Sequence, residues 1–401
     1  MFTSQARRVF FQLYLPSLLM PLGAGMIIPA VPLLGRTFGI SIGFAVQVVT
    51  AQVLGRALSL MPAGLLNDRF GLRIGMIIGA SIGVMSAILT AFATSFWLLL
   101  IAQFAWGFGF TLWKLGREMA AIDVVSVDQR GRQLSALYGI QSTGEALGPA
   151  LGGIILDTLG FRSLFLIFTV IAVIVLAIST TVTVKEPTER PYRARGTIFG
   201  FTGLSQIEPL YRVTYMVLML ATFSAMLRSE VLKSMLPIYA VHELNYSATS
   251  VGFLFFIVGL VTFLMIVPAG FVSDKLGRKW GTAPPALLSA LAFFCYPLIH
   301  NMPGLIVLSV ILGIANGMAL GSMTIYTYDI SPHHSRAQLQ AMRRTVGEIG
   351  SFTGPLAGGV IANSFSAGIA FLIFAPLHLL SAVLLILLAK ESLPRLKRPK
   401  D

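Results

Sequence analysis

Charge is what this 401-residue chain has least of. Asp, Glu, Lys and Arg together make up 11% of it, against about 25% in soluble domains. Hydrophobic residues fill 56%. A water-soluble protein this apolar could not cover its surface with polar groups, so a soluble globular fold is excluded and most of the chain must face lipid or other helices. Cysteine is nearly absent as well. The single Cys295 excludes an intramolecular disulfide and a cysteine-based metal site. No phosphate-cradling loop, metal-ligand cluster or Ser-His-Asp spacing stands out, and the adjacent His333 and His334 read as loop surface. No catalytic residue, metal or cofactor is expected.

What is present is apolar and long. Twelve runs approach the roughly 20 residues that span a bilayer as a helix. They lie at about 10–34, 44–66, 74–94, 97–121, 134–157, 163–184, 213–240, 249–271, 280–299, 304–328, 339–362 and 367–389. They do not alternate as barrel strands would. Arg7 and Arg8 precede the first run, which is too long for a signal peptide and reads as an uncleaved span. The net charge of +13 could suggest nucleic acid, but its distribution argues against that partner. With both termini inside, the inner segments hold 20 of the 29 Lys and Arg residues and the outer loops only Arg36 and Arg162. That is the positive-inside asymmetry. The other seven, Arg56, Lys114, Arg117, Arg228, Lys233, Arg343 and Arg344, fall within or at the edge of spans.

The chain also repeats itself. Gly64, Asp68, Arg69, Gly71 and Arg73 return 206 residues later as Gly270, Asp274, Lys275, Gly277 and Lys279, with Arg278 beside them. The same gapless offset pairs Gly107 with Gly313, Asp123 with Asp329 and Arg130 with Arg336. It also pairs Gly144, Gly148, Pro149, Gly152 and Gly153 with Gly350, Gly354, Pro355, Gly358 and Gly359. Duplication of a six-span unit is the simplest cause. The expected fold is all-α, with twelve transmembrane helices in two pseudo-symmetric six-helix bundles. Residues 1–184 form the first bundle, 185–212 a cytoplasmic linker rich in Pro and charge, 213–389 the second bundle and 390–401 a basic cytoplasmic tail.

The Gly64-to-Arg73 motif falls in the short inner loop after span two. A tight turn there needs glycine, and Gly64 is expected to let helices approach closely. Asp68, an acid among bases, can bond a facing helix N-terminus or an arginine in only one arrangement of the halves, which suits a gate. A loop that merely anchors topology is the competing reading, and the second copy in register favours the gate. With these residues the chain resembles the major facilitator superfamily across all twelve spans. The resemblance implies two bundles that rock about a central site, with Asp68 and Arg73 helping to close the cytoplasmic side. Asp123, Arg130, Asp329 and Arg336 join the candidate gate. Leu72 departs from the family pattern, which usually has a base there. The glycines around Pro149 resemble a motif of the drug–proton antiporter branch, although Ser135 stands where that pattern has glycine and the second half carries a copy. Tight helix packing is the alternative role of this motif.

Charges inside spans are costly and mark functional candidates. Gln103, Trp106, Phe110, Trp113 and Arg117 recur at steps of three and four and share one face of span four. In facilitators that span lines the cavity, so the resemblance implies an aromatic cavity wall; packing of Trp106 and Trp113 against lipid is the alternative. Lys114 and Glu118 are spaced to pair at i, i+4. In span seven Phe223, Glu230 and Lys233 share a face, with Glu230 and Lys233 able to pair, while Arg228 points nearly opposite. Glu118, Glu145, Glu230 and Glu348 are the candidate proton carriers, since burial raises a carboxyl pKa; structural neutralisation by nearby bases is the alternative. Span one holds no acid, and Gln103 replaces the arginine of antiporter relatives. The expected function is proton-linked export of amphiphilic small molecules by a monomer in a bacterial inner membrane. The alternative is carriage of an organic anion or metabolite, with a membrane-embedded enzyme or sensor third.

Overall fold

The computed structural model describes residues 10–123, 130–182, 206–319, 321–332 and 335–393. Residues 185–205 of the expected linker and the tail from Pro394 onward lie outside these. The described residues contain helices, turns and no strand.

Among the described residues, twelve long helices account for the apolar runs. They are α1 (Phe10–Phe38), α2 (Ile42–Phe70), α3 (Leu72–Ala91), α4 (Phe96–Asp123), α5 (130–159), α6 (161–181), α7 (Pro209–Ile238), α8 (Ala248–Lys275), α9 (Arg278–Cys295), α10 (Met302–Ile330), α11 (Arg336–Ser364) and α12 (Ala367–Leu387). Among the described residues, ten segments are long and apolar enough to cross a membrane. One of them, Ala136–Thr181, holds parts of both α5 and α6. A straight helix of 52 residues would run about 78 Å, twice the thickness of a bilayer. Gly160, at φ +81°, breaks it in two. α11 is outside the ten and carries Arg343, Arg344 and Glu348 along its length.

Local chemistry accounts for the irregular helices. Pro16, Pro21, Pro29 and Pro32 interrupt α1, which opens as a π-turn and passes through a 3₁₀ turn at Ile28–Ala30. Each proline removes a backbone donor, and the freed carbonyls must be satisfied by neighbours. α10 breaks at Gly321, φ +78°. Large apolar side chains face outward over the helices; Val267 is 72% and Trp97 68% exposed. Such a surface is stable only against lipid.

The chain packs into two compact units. One comprises Met1–Arg193 with Ala240–Gly259, the other Ala194–Tyr239 with Leu260–Asp401. The start of α8 packs with the N-terminal helices. The reason is local. Asp157, near the end of α5, accepts the backbone N–H of Ala248 (3.3 Å) and Thr249 (2.7 Å) and the Thr249 hydroxyl (2.6 Å), capping α8. Gly252 and Gly259 of α8 face Pro149 and Ala146 of α5 so closely that a methyl at either would collide. The core of this first unit gathers Met20, Met26, Trp106, Trp113, Phe165 and Phe168. The core of the second gathers Tyr211, Tyr215, Leu218, Met323, Tyr326 and Leu385.

Candidate transport site and gate

The face of α4 predicted from spacing exists, but it is largely packed. Trp106 and Phe110 lie 5.6 Å apart by ring centroid, and Phe110 and Trp113 lie 6.2 Å apart. Trp106 meets Phe168 edge-on at 4.8 Å. Gln103 accepts from Gln52 (2.6 Å) and donates to Thr90 (2.9 Å). Gln103, Trp106 and Trp113 are buried in the first unit, and Phe110 is half-buried. These side chains face neither lipid nor an open wall here, because α1, α2, α3 and α6 close over them.

The stripe ends in a polar network. Arg117 is fully buried beneath Trp113, its guanidinium 5.0 Å from the ring. Its Nη2 donates to Gln141 Oε1 at 2.9 Å, and Gln141 Nε2 donates to Glu145 Oε1 at 2.9 Å. Glu118 Oε1 lies 3.7 Å from Arg117 Nη2 and 3.9 Å from Lys114 Nζ, within ion-pair range but too far for hydrogen bonds. Two cations and two carboxylates thus meet, and the Arg117 Nε and Nη1 donors have no acceptor among the described residues. The arrangement is sensitive to charge: loss of negative charge on Glu118 removes an attraction on the buried Arg117, and loss on Glu145 weakens the bond that orients Gln141. Gln141 was not among the expected residues. Its signal was there, since it stands four residues before Glu145 on one face of an apolar helix.

The second unit holds separate polar groups. Lys233 Nζ donates to Glu230 Oε1 at 3.2 Å, the i, i+3 pair the spacing predicts. Arg228 lies on the other side of α7 and donates to Ser289 and, at 2.5 Å, to Asn316. Arg343 donates to Thr222 (3.1 Å), Thr324 (3.0 Å) and Gln340 (3.0 Å). Phe223 and Glu348 are half-buried, and Glu348 joins none of these groups among the described residues.

The two loop motifs differ in what they hold together. In the second copy, Arg278 Nη1 pairs with Asp274 at 2.7 Å and its Nε with Asp329 at 2.8 Å. Glu391 accepts the backbone N–H of Arg278 (2.8 Å) and Lys279 (3.1 Å), capping α9. Lys275 lies over Phe271, and Arg336 lies over Tyr328 while donating to the Ser331 carbonyl. In the first copy the position equivalent to Arg278 is Leu72 (278 − 206 = 72). Leu72 is buried against Leu13, Ala120, Ala121 and Leu137, so among the described residues no side chain bridges Asp68 as Arg278 bridges Asp274. Arg73 donates instead to the Thr180 carbonyl, and Arg69 lies over Phe70. Asp68 is exposed. The side chains of Asp123 and Arg130 lie outside the described residues. Glu391 was missed because only folding brings the chain end back to the Gly277 loop.

The glycine readings need one correction. Gly64 and Gly270 do not mediate close approach: a methyl at either would meet nothing within 4 Å. The turn glycines are Gly71 (φ +86°) and Gly277 (φ +128°), a region side chains rarely adopt. Close approach belongs to the other motif. Methyls at Gly144, Gly148 and Gly152 would collide with the backbone carbonyls of Leu18, Leu22 and Met26 on α1, one pair per helical turn. Gly153, on the adjoining face, abuts Ala248. In the second half Gly350 abuts the Phe223 carbonyl and Gly354 the Leu227 carbonyl (3.0 Å), while Gly358 meets Met235 (3.3 Å). Pro149, Pro355 and Gly359 are buried.

Comparison with known proteins decides the family. The profile described as Major Facilitator Superfamily matches residues 13–213 and 218–401. The chain belongs to the major facilitator superfamily. It is 23% identical over 350 residues to "Multidrug resistance protein 1" of Bacillus subtilis (strain 168), covering 85% of this chain and 86% of that protein. It is 26% identical over 243 residues to "Multidrug resistance protein MdtG" of Dickeya zeae (strain Ech586), covering 60% of this chain and 58% of that protein. The D-xylose-proton symporter structure superposes with a TM-score of 0.77 at 18% identity, covering 97% of this chain and 99% of that one. At that identity the likeness speaks for the fold alone. This facilitator is a multi-pass membrane transporter of small molecules with multidrug-resistance relatives, and not an enzyme.

Proposed function

We propose that this facilitator exports amphiphilic small molecules in exchange for protons, by alternating exposure of a central site. The observation that carries the reading is the hydrogen-bonded line from buried Arg117 through Gln141 to the exposed Glu145, with Glu118 3.7 Å from the same guanidinium. A proton taken up by Glu118 removes an attraction on the order of a few kcal/mol, and one taken up by the exposed Glu145 acts more weakly, through Gln141. Each thereby changes what Arg117 holds, which is what coupling requires. Glu230 and Glu348 are the secondary proton carriers, and Phe223 and Lys233 are further substrate-site residues. The loops at Asp68 and Asp274 serve as unequal halves of a cytoplasmic gate. On this reading the protein works as a monomer in a bacterial inner membrane, both termini cytoplasmic, with no nucleic-acid partner.

The test is dye or drug transport by the full chain in proteoliposomes with a pH-sensitive dye inside. An imposed pH gradient should drive efflux, and Glu145→Gln and Glu118→Gln should each cut gradient-driven flux at least about tenfold while downhill flux persists. Wild-type flux indifferent to the gradient would sink the coupling. A second reading, organic-anion transport, is favoured by Arg343, which is buried among the neutral Thr222, Thr324 and Gln340. It predicts that Arg117→Ala and Lys233→Ala weaken anion binding.

A further inference from the structure

A buried charge in a membrane helix needs a counter-charge or a full set of hydrogen bonds. Arg117 has Glu118, Lys233 has Glu230 and Arg278 has two aspartates. Arg228 is 6% exposed in the middle of α7, and no carboxylate pairs with it among the described residues. Its visible partners are neutral: the Ser289 hydroxyl on α9 and the Asn316 carbonyl oxygen on α10. Ser289 has already given its own proton to the Pro285 carbonyl, at 2.6 Å. Each Arg228 Nη carries a second N–H beyond these bonds.

A second group points the same way. His378 on α12 is 1% exposed, and its Nδ1 lies 2.5 Å from the Ser224 hydroxyl of α7. When Ser224 donates to Nδ1, the neutral ring keeps its proton on Nε2. Nε2 is buried with no acceptor among the described residues. Arg228, His378, Ser224 and Ser289 line one recess with about 230 Å³ of empty space, its remaining walls mostly alanine. Much of that space is open to the outside; the room left for the centre of a water-sized group is about 10 Å³, close to the minimum for one water, so only a compact ion or a single carboxylate head fits.

We propose that Arg228, Ser289, Asn316, Ser224 and His378 form a binding site for one small monovalent anion inside the second unit. The single cation sets the charge of the ligand, the recess limits its size, and the surplus N–H groups supply charge-assisted donors. The occupant is either an inorganic ion such as chloride or the carboxylate of a small acid. The site does not rest on the export reading, since it needs neither a proton gradient nor a drug.

The test uses the full-length protein in detergent at constant pH and ionic strength, with chloride, acetate or bulky gluconate as the anion. Saturable binding of radiolabelled chloride or acetate near one per chain is expected, with a raised unfolding temperature relative to gluconate. Chloride binding identifies an inorganic ion; acetate binding without chloride binding identifies a carboxylate. Arg228→Gln should weaken binding about tenfold or more. Should that variant fail to fold, His378→Ala, which leaves the arginine in place, should weaken it by a smaller factor. No saturable binding to the wild type, or wild-type affinity in both variants, would overturn the proposal and leave Arg228 as a strut between α7, α9 and α10.

Discussion

Gly148→Ala is the sharpest single test of the packing. The added methyl would strike the Leu22 carbonyl oxygen and lie 2.9 Å from Gly25 Cα and 3.1 Å from Gly25 C. All three obstacles are backbone, so no side chain can swing aside. Reaching ordinary contact requires α1 and α5 to separate by about 1 Å, a gap that forfeits about half of the dispersion energy of each contact along the seam. Overpacking of this kind costs about 1–3 kcal/mol. A loss of one or two kcal/mol lowers the folded-to-unfolded ratio by a factor of about 5–30. The control is Gly64→Ala, where the methyl meets open space and a mid-helix Gly-to-Ala change stabilises by up to about 1 kcal/mol. Thermal unfolding of the two purified variants in one detergent should therefore move in opposite directions from the wild type. Equal midpoints, or a Gly148→Ala protein as stable as the wild type, would refute the claim that the α1–α5 seam depends on backbone contact.

The other expectations are narrower. Arg278→Leu reproduces in the second loop what Leu72 is in the first; because the Asp274 side chain is 70% exposed, stability should fall by no more than about 1 kcal/mol, and a much larger drop in the melting transition would show that the ion pairs hold the fold. Asp157→Ala removes the bonds to Ala248 and Thr249 while Ser247 still accepts the Ser250 N–H, and should cost about 0.5–2 kcal/mol, with Asp157→Asn losing less because an amide oxygen still accepts. Faster hydrogen exchange confined to residues 248–252 in Asp157→Ala is the matching local signature, and unchanged exchange there would count against the cap.

Much of the architecture was legible because it is written in local pattern. Apolar length marks a span and an offset of 206 residues marks a duplication, neither of which needs knowledge of what touches what. Helical spacing likewise placed Gln103, Trp106, Phe110, Trp113 and Arg117 on one face of α4 and paired Glu230 with Lys233. The same spacing turned Arg228 away from Glu230, although it could not say toward what. Gln141 and Glu391 went unread because their importance comes from Arg117 and from the Gly277 loop, partners supplied by other helices.

The amino-acid sequence by itself determined that this is a duplicated helical membrane protein of the facilitator type, where each helix runs, and which faces carry small, aromatic or charged residues. Only the tertiary structure decided what covers those faces. It set the α5 glycines against the α1 backbone and closed the aromatic stripe into the core. It joined the start of α8 to the first unit through Asp157. It showed that Leu72, in the place of Arg278, leaves the first loop without the double ion pair of the second. The physical reason is that periodicity records the orientation of a side chain about its own helix axis, whereas burial, pairing and collision depend on the distance to another helix. That distance is set by packing across the whole bundle.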